Sequence, residues 1–335
     1  MRVLVTGGAG YVGSVLVPAL IERGYAVRVV DCGMFGVQHV HPEAELIVAD
    51  VLDFQESWLD RVDAVINLAG LSNDPMAAFS PSLNYILNAA GASIVAHAAK
   101  EAGIRRFVFG STCSVYGLSD DNEVDEQYEA SPSFPYATSK LMAELCVRCL
   151  TDERFRPIIL RKGTVVGWSP RMRFDLVVNA MVKTALTQRR IVVHNPHLWR
   201  PLIDVRDAAA AYISALEADV SVTGIFNIAA ENYNMGRLAE EVATTLRALG
   251  TNVPLVLENR HDVRSYRVST AKAKSTLGFE ASTGIAETVR EIMDHIRRHE
   301  VTDFSDPRYY NVEQLKLTMA GAQPSANGTY IRAAA

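Results

Sequence analysis

The stretch Arg2-Val-Leu-Val-Thr-Gly-Gly-Ala-Gly10-Tyr-Val-Gly13 decides the fold. An apolar, β-branched run, Val3–Thr6, passes straight into a glycine triplet and then into a helical pattern near residues 12–23. In that setting glycines permit a tight turn, close approach of backbone to a pyrophosphate, and close packing of helix on sheet. The helix N-terminus adds free N–H groups and the positive end of its dipole. A glycine triplet alone carries little weight; its place between a first strand and a first helix gives it meaning. Gly7, Gly10, Tyr11, Val12 and Gly13 are therefore expected to contact a dinucleotide.

The same alternation continues along the first half. Ala26–Val30, Glu45–Val48, Ala64–Leu68, Phe107–Gly110 and Pro157–Leu160 read as buried strands, with helical patterns near 55–60, 81–102 and 136–151 between them. Such βαβ order predicts an α/β protein built on a doubly wound parallel sheet of Rossmann type, with ligands at the carboxyl ends of the strands. After Arg161 the pattern loosens. We expect residues 1–165 to form the dinucleotide-binding domain, with 201–222 returning to it. Residues 166–200 and 223–315 are expected to form a smaller substrate-binding lobe, and 316–335 a mobile tail.

Bulk composition narrows the classes. The chain has 335 residues, 49% apolar and 21% charged, with a formal charge of −5 and no basic tract. That describes a globular protein and argues against a nucleic-acid partner. No apolar run is long enough to span a bilayer, and residues 1–7 read as a strand entering a turn, so cytoplasmic residence is the expectation. Four cysteines make no disulfide framework. Cys146 and Cys149 form a Cys-x-x-Cys on a helical segment without a second Cys or His pair nearby; they are read as small buried hydrophobes and no metal site is expected.

Asp31 closes the second strand, where a carboxylate can accept hydrogen bonds from adenosine ribose hydroxyls and repel a 2′-phosphate. NAD is favoured over NADP on that ground. Asp50 and Val51 follow the third strand and could touch the adenine edge, although a plain turn carboxylate explains Asp50 almost as well. Further along, Pro135-Tyr-Ala-Thr-Ser-Lys140 places a phenol and an ammonium at i and i+4, on one helix face. A free phenol, with a pKa of about 10, is a poor base at neutral pH, and a neighbouring cation favours its ionised form. Lys140 is accordingly expected to pull Tyr136 towards deprotonation.

These residues, with Asn67-Leu-Ala-Gly70, Asn88-Ala-Ala-Gly91, Ser111-Thr-Cys-Ser-Val-Tyr-Gly117 and Arg200-x-x-x-Asp204-Val205, resemble the extended short-chain dehydrogenase/reductase family, in its NAD-dependent nucleotide-sugar epimerase and dehydratase branch. The resemblance spans residues 1–300, with the motifs in family order. It implies that Leu68, Ala69, Gly70 and Asn88 line the cofactor site, and that Lys140 also holds the nicotinamide ribose. It implies further that Thr112 stands beside Tyr136 and hydrogen-bonds the reacting sugar oxygen, while Ser111 is structural. Arg200 and Arg264 match the arginines that hold a sugar nucleotide's diphosphate, with Arg171, Arg173 and Asn179 as further candidates. Ser72 and Asn73 could touch nicotinamide or hexose, but Asn73-Asp-Pro75 is equally a turn signal. Homodimers built through helices near 86–102 and 137–151 are a family habit.

The resemblance also separates reactions. Its 4,6-dehydratases carry an Asp-Glu pair directly after the catalytic Thr, where this chain has Cys113-Ser114. Cys113 is either a substrate-side acid/base or a small buried residue. The expected activity is epimerisation of a nucleotide-diphosphate sugar by transient oxidation, most often at C4. An atypical dehydratase, a 4-ketosugar reductase and a non-catalytic NAD sensor are the alternatives. Such sensors often lose the Tyr or the Lys, and this chain keeps both.

Overall fold

A computed structural model describes residues 1–258 and 265–321. Its main sheet has seven parallel strands in the order Gly224–Ile228, Arg156–Lys162, Arg106–Thr112, Ala64–Asn67, Arg2–Thr6, Ala26–Asp31, Glu45–Val48. Arg2–Thr6, Ala64–Asn67 and Arg106–Thr112 are buried almost throughout, which is why they read as continuous apolar runs rather than alternating ones. The chain starts in the middle of the sheet, builds outward to one side, then crosses to the other. Loops leaving Thr6 and Asn67 part in opposite directions, and the crevice between them is where such sheets bind ligands.

Helices cover both faces. Gly13–Glu22 and Val205–Glu217 bury Leu16, Leu20, Tyr212 and Leu216 against Val3, Val5 and Ile158 on one side. Gly91–Glu101 and Pro135–Cys149 bury Val95, Ala96, Ala143 and Val147 against Leu4, Val65 and Phe107 on the other. The smaller lobe has its own core, in which helices Val177–Gln188, Met235–Ala248 and Ile285–Arg297 bring together Val182, Leu238, Val242 and Ile292. Beside them lies a three-stranded sheet of Glu231–Asn234, Trp199–Asp204 and Thr164–Val166.

Three expected boundaries need correction. Gly224–Ile228, assigned to the lobe, is the edge strand of the main sheet, because Gly224 through Ile228 pair with Ile158 through Lys162. Residues 201–204, expected to return to the main sheet, belong to the strand Trp199–Asp204, which pairs instead with Glu231–Asn234 and Thr164–Val166; only the following helix, Val205–Glu217, packs on the main sheet. The tail does not begin at residue 316: Asn311–Gly321 is a helix whose Leu315 is fully buried. Residues 322–335 of the expected tail lie outside the described residues.

The helical pattern at 81–102 is also not one helix. Pro81–Tyr85 and Gly91–Glu101 are joined by a π-helical turn, Ile86–Ala90. That turn points Asn88 inward, where its amide donates to Leu71 O, Asn84 Oδ1 and Ser139 Oγ at 2.8–3.0 Å. Nor are the paired cysteines packed as expected, since Cys146 is half-buried and Cys149 exposed, both as free thiols. Among the described residues no helix is long and apolar enough to cross a membrane.

Candidate active site

A cleft of about 680 Å³ opens at the carboxyl edge of the main sheet, between it and the lobe. Gly7, Gly10, Tyr11, Val12, Gly13, Leu68 and Gly70 line its floor, with Thr112, Tyr136 and Lys140 beside them. Ser72, Asn73, Arg171, Arg173 and Arg200 line the same space.

The glycine loop shows why other residues are excluded. Gly7 has φ +72°, and a Cβ there would lie 2.7 Å from the Ala69 nitrogen. A Cβ at Gly13 would collide with the Gly7 carbonyl, so the helix could not start where it does. Among the described residues no backbone partner takes the Tyr11 or Val12 N–H groups, which leaves a small donor nest at the helix start. Such a cradle fits a pyrophosphate. Asp31 fixes the loop from behind, its two carboxylate oxygens accepting from Ala9 N at 3.0 Å and Gly33 N at 2.9 Å. Burial raises its pKa and those two N–H groups lower it, with His39 and Arg171. Each oxygen retains a further lone pair for a ribose hydroxyl.

Tyr136 and Lys140 lie one turn apart on Pro135–Cys149, a helix begun by a proline in its first turn. Lys140 Nζ donates to Gly110 O at 2.8 Å and sits 4.8 Å from the Phe109 ring centre. Thr112 ends the neighbouring strand and accepts from Ser114 N at 3.1 Å, and its hydroxyl favours ionised Tyr136. The expected pull of Lys140 on the phenol is not what dominates here. Burial pushes the Tyr136 pKa up, Asp74 and Tyr266 add to that, and Arg173 with Thr112 oppose it. The correction has a plain cause: the Lys140 ammonium is turned towards the Gly110 carbonyl.

A second lysine, missed in the sequence, shares this edge. Lys162 ends the strand Arg156–Lys162 and donates to Tyr212 Oη at 2.7 Å and Ser111 O at 3.1 Å. Burial lowers Lys140 to about 8, and burial with the Lys140 charge lowers Lys162 to about 7. Below those values both ammonium groups stay protonated in folded and unfolded chains, and the cost of burying them is fully felt. As pH rises through about 7 to 8, the folded chain sheds protons that the unfolded chain, with ordinary lysines, retains. Stability of the nucleotide-free protein should therefore increase from about pH 6.5 to 8.5, by about 1.4 kcal/mol per unit for each fully responding lysine. Urea unfolding of wild type and Lys162→Met across that window checks this; an equal slope in the two removes Lys162 from the account.

Several predicted residues fall elsewhere, and two that line the cleft, Asn73 and Arg173, are tied to other groups. Cys113 is fully buried, its thiol bonded to Arg161 O at 3.0 Å and its pKa pushed far up by burial, so it cannot be the substrate-side acid/base. Ser114 lines the cleft in its place. Asn179 is not on the cleft surface but is a buried tie, accepting from Gly167 N and donating to Tyr11 Oη, Gly167 O and Arg173 O. Asn88 braces the wall behind Gly70 rather than lining the cleft. Asp50 caps the short turn Val51–Asp53 by accepting from Leu52 N, and Val51 is packed into the core. Asn73 begins Asp74–Phe79, accepting from Met76 N at 3.0 Å with φ +98°. Arg173 is engaged by Asp175 through two bonds of 2.8–2.9 Å. Arg264 lies outside the described residues. Beyond Lys162, sequence reasoning did not single out Asp74, whose Asn-Asp-Pro setting reads equally as a turn, and it missed Asn311, which reaches the cleft from a segment 239 residues after Ser72.

Residues 3–229 match the sequence model of the NAD dependent epimerase/dehydratase family. The chain belongs to that family. Its cofactor is NAD accordingly, and it is an enzyme of the epimerase/dehydratase group. UDP-glucose 4-epimerase of Bacillus subtilis is 28% identical over 86% of this chain and 94% of its own length. The dTDP-D-glucose 4,6-dehydratase of Mus musculus is 25% identical over 89% of each chain. Among solved structures, the NAD complex of UDP-glucose 4-epimerase from Thermus thermophilus is 25% identical and superposes with a TM-score of 0.77, over 89% of this chain and 99% of that one.

Proposed function

We propose that this enzyme is a nucleotide-sugar epimerase that inverts C4 of a hexose through a ketosugar. One observation carries the reading. Tyr136, Lys140 and Thr112 meet at the glycine-loop end of one cleft, and the two residues after Thr112 are a buried thiol and a hydroxyl rather than an acidic pair. NAD, held by the Gly7–Gly13 loop and Asp31, would supply a hydride acceptor and donor for the ring carbon. Tyr136 takes the proton of the sugar hydroxyl and gives it back, while the Thr112 hydroxyl donates to the oxygen as it gains charge. Arg173 favours the phenolate, while Lys140, bonded to the Gly110 carbonyl, is assigned to hold the nicotinamide ribose. Arg200, above the Tyr266 ring at 5.5 Å, presents a guanidinium to the sugar nucleotide's diphosphate. Ser72 and Asn73 stand opposite the hexose.

Asp74 supports a second reading. It lines the cleft and acts directly on Tyr136, so a carboxylate is at hand for an elimination in a dehydratase of unusual design. Incubation with UDP-glucose, UDP-galactose and their uronic and amino counterparts, without added cofactor, separates the readings by NMR. Epimer formation supports the first, loss of water the second. Strict need for NADH or NADPH overturns both in favour of a reductase, and silence with every sugar alongside tight NAD binding points to a sensor.

Asp31 is the residue proposed to read the adenosine ribose. Asp31→Ala should weaken NAD and narrow its lead over NADP by about one to two orders of magnitude, since a carboxylate facing a 2′-phosphate is replaced by nothing. Paired NAD and NADP titrations decide it; unchanged preference removes the assignment. A homodimer through Ile86–Glu101 and Pro135–Cys149 is part of the proposal, supported by exposed Ile86, Ile94, Met142 and Leu145 on those two segments.

A further inference from the structure

Arg171 is a buried cation with donors unused. It is 5% exposed, yet it lines the cleft. Its Nη2 donates to Asn311 Oδ1 at 2.5 Å, and its guanidinium lies 3.5 Å from the centre of the Phe35 ring. Neither Nε nor Nη1 meets an acceptor among the described residues. A buried guanidinium in that state is built for an anion that arrives from outside the chain.

Its surroundings say which anion. Phe35 belongs to the loop after the second strand; besides burial, Arg173 and Asp175 act most on the Arg171 charge, and Tyr11 and Asp31 act on it as well. Phe35, Tyr11 and Asp31 flank the glycine loop, where a dinucleotide's pyrophosphate would rest. Arg200, by contrast, comes from the lobe's three-stranded sheet. The last helix holds Arg171 in position. Asn311 Nδ2 donates to Ser72 Oγ at 2.9 Å, Gln314 Nε2 donates to Met34 O at 2.8 Å, and Leu315 packs with Met34, Leu71 and Met76. Asn311–Gly321 is thus fastened to the loops on either side of the crevice, one following Asp31 and the other following Asn67.

We propose that Arg171 is a ligand of the cofactor's pyrophosphate, oriented by Asn311, and that the helix Asn311–Gly321 is a latch that retains the cofactor between turnovers. The site contains two diphosphates when fully loaded, and Arg171 serves the dinucleotide's rather than the sugar nucleotide's. Calorimetric titration of the full chain, stripped of nucleotide, with NAD, ADP-ribose and UDP in turn tests it. Arg171→Met should weaken NAD and ADP-ribose alike by about ten- to a hundredfold and leave UDP unchanged. Asn311→Leu should shift both in the same direction by a smaller factor, and less NAD should survive purification of each variant. Loss of UDP affinity with NAD intact, or no change in any of the three, overturns the proposal. Should Arg171→Met fail to fold, Arg171→Lys carries the test, since it keeps the charge and loses the planar fork; it should still weaken NAD several-fold. No turnover is measured, so failure here leaves the epimerase reading standing.

Discussion

Tyr136→Phe is expected to reduce turnover by about 10²- to 10⁴-fold while NAD stays bound. The substitution keeps the ring and the helix and removes one oxygen. Tyr136 is only half-buried, so the phenyl ring leaves no large cavity, and a folding defect is not the expected cause of lost activity. The oxygen itself is held under opposing influences: burial, Asp74 and Tyr266 favour its protonated form, Arg173 and Thr112 its ionised form. Burial prevails, so the phenol's pKa is held above its ordinary value in the nucleotide-free chain; an epimerisation asks it to accept a proton in the oxidation and return it in the reduction. Single-turnover conversion of a UDP-sugar, with the nucleotide content of each preparation measured alongside, gives the result. Thr112→Val should lie between wild type and Tyr136→Phe, because it removes a donor to the oxygen but leaves the base. Wild-type rates in Tyr136→Phe would exclude the phenol as the base, whatever binds beside it.

Much of this arrangement is legible in the residues alone, for reasons that differ by position. Gly7 and Gly13 can be read because a Cβ has no room there, and Gly10 because one would be tight against the Gly7 carbonyl, a local constraint that leaves its mark in a short stretch of chain. Tyr136 and Lys140 can be read because helix periodicity alone puts them on one face. Cys113 cannot be placed that way: a strand that turns into a short helix at Thr112 changes which way successive side chains point, and adjacent residues give no sign of it. Two strands are misassigned for a related reason. Gly224–Ile228 and Trp199–Asp204 are both short, and only their pairing partners decide which sheet each joins. Lys162, Asp74 and Asn311 belong to a third class. Their roles arise from contacts across long stretches of chain, and residue type alone does not distinguish them from solvated side chains.

Glu144→Ala should destabilise the protein by about 3–5 kcal/mol, the penalty for leaving a buried charge without its partner. Glu144 follows Tyr136 and Lys140 at the same four-residue spacing, so all three share the helix face that meets the sheet. It is fully buried, takes two bonds from Arg161 Nε and one of 2.7 Å from Arg161 Nη2, and accepts the Ser111 hydroxyl. One carboxylate therefore ties the catalytic helix to two adjacent strands, beside Thr112. Its charge also raises the Lys140 pKa against the lowering effect of burial. The two roles can be separated. Glu144→Met combined with Arg161→Met removes both buried charges and should recover most of the lost stability, because a well-packed apolar pair is about as stable as a buried ion pair. The Lys140 ammonium is not restored by that repair, so the alkaline limb of the activity profile should move below about 8 in the double variant. Urea unfolding read together with a pH–rate profile distinguishes the cases. Recovery of stability with an unmoved alkaline limb would make Glu144 a strut alone, whereas a moved limb makes it a positioning residue that keeps the lysine charged.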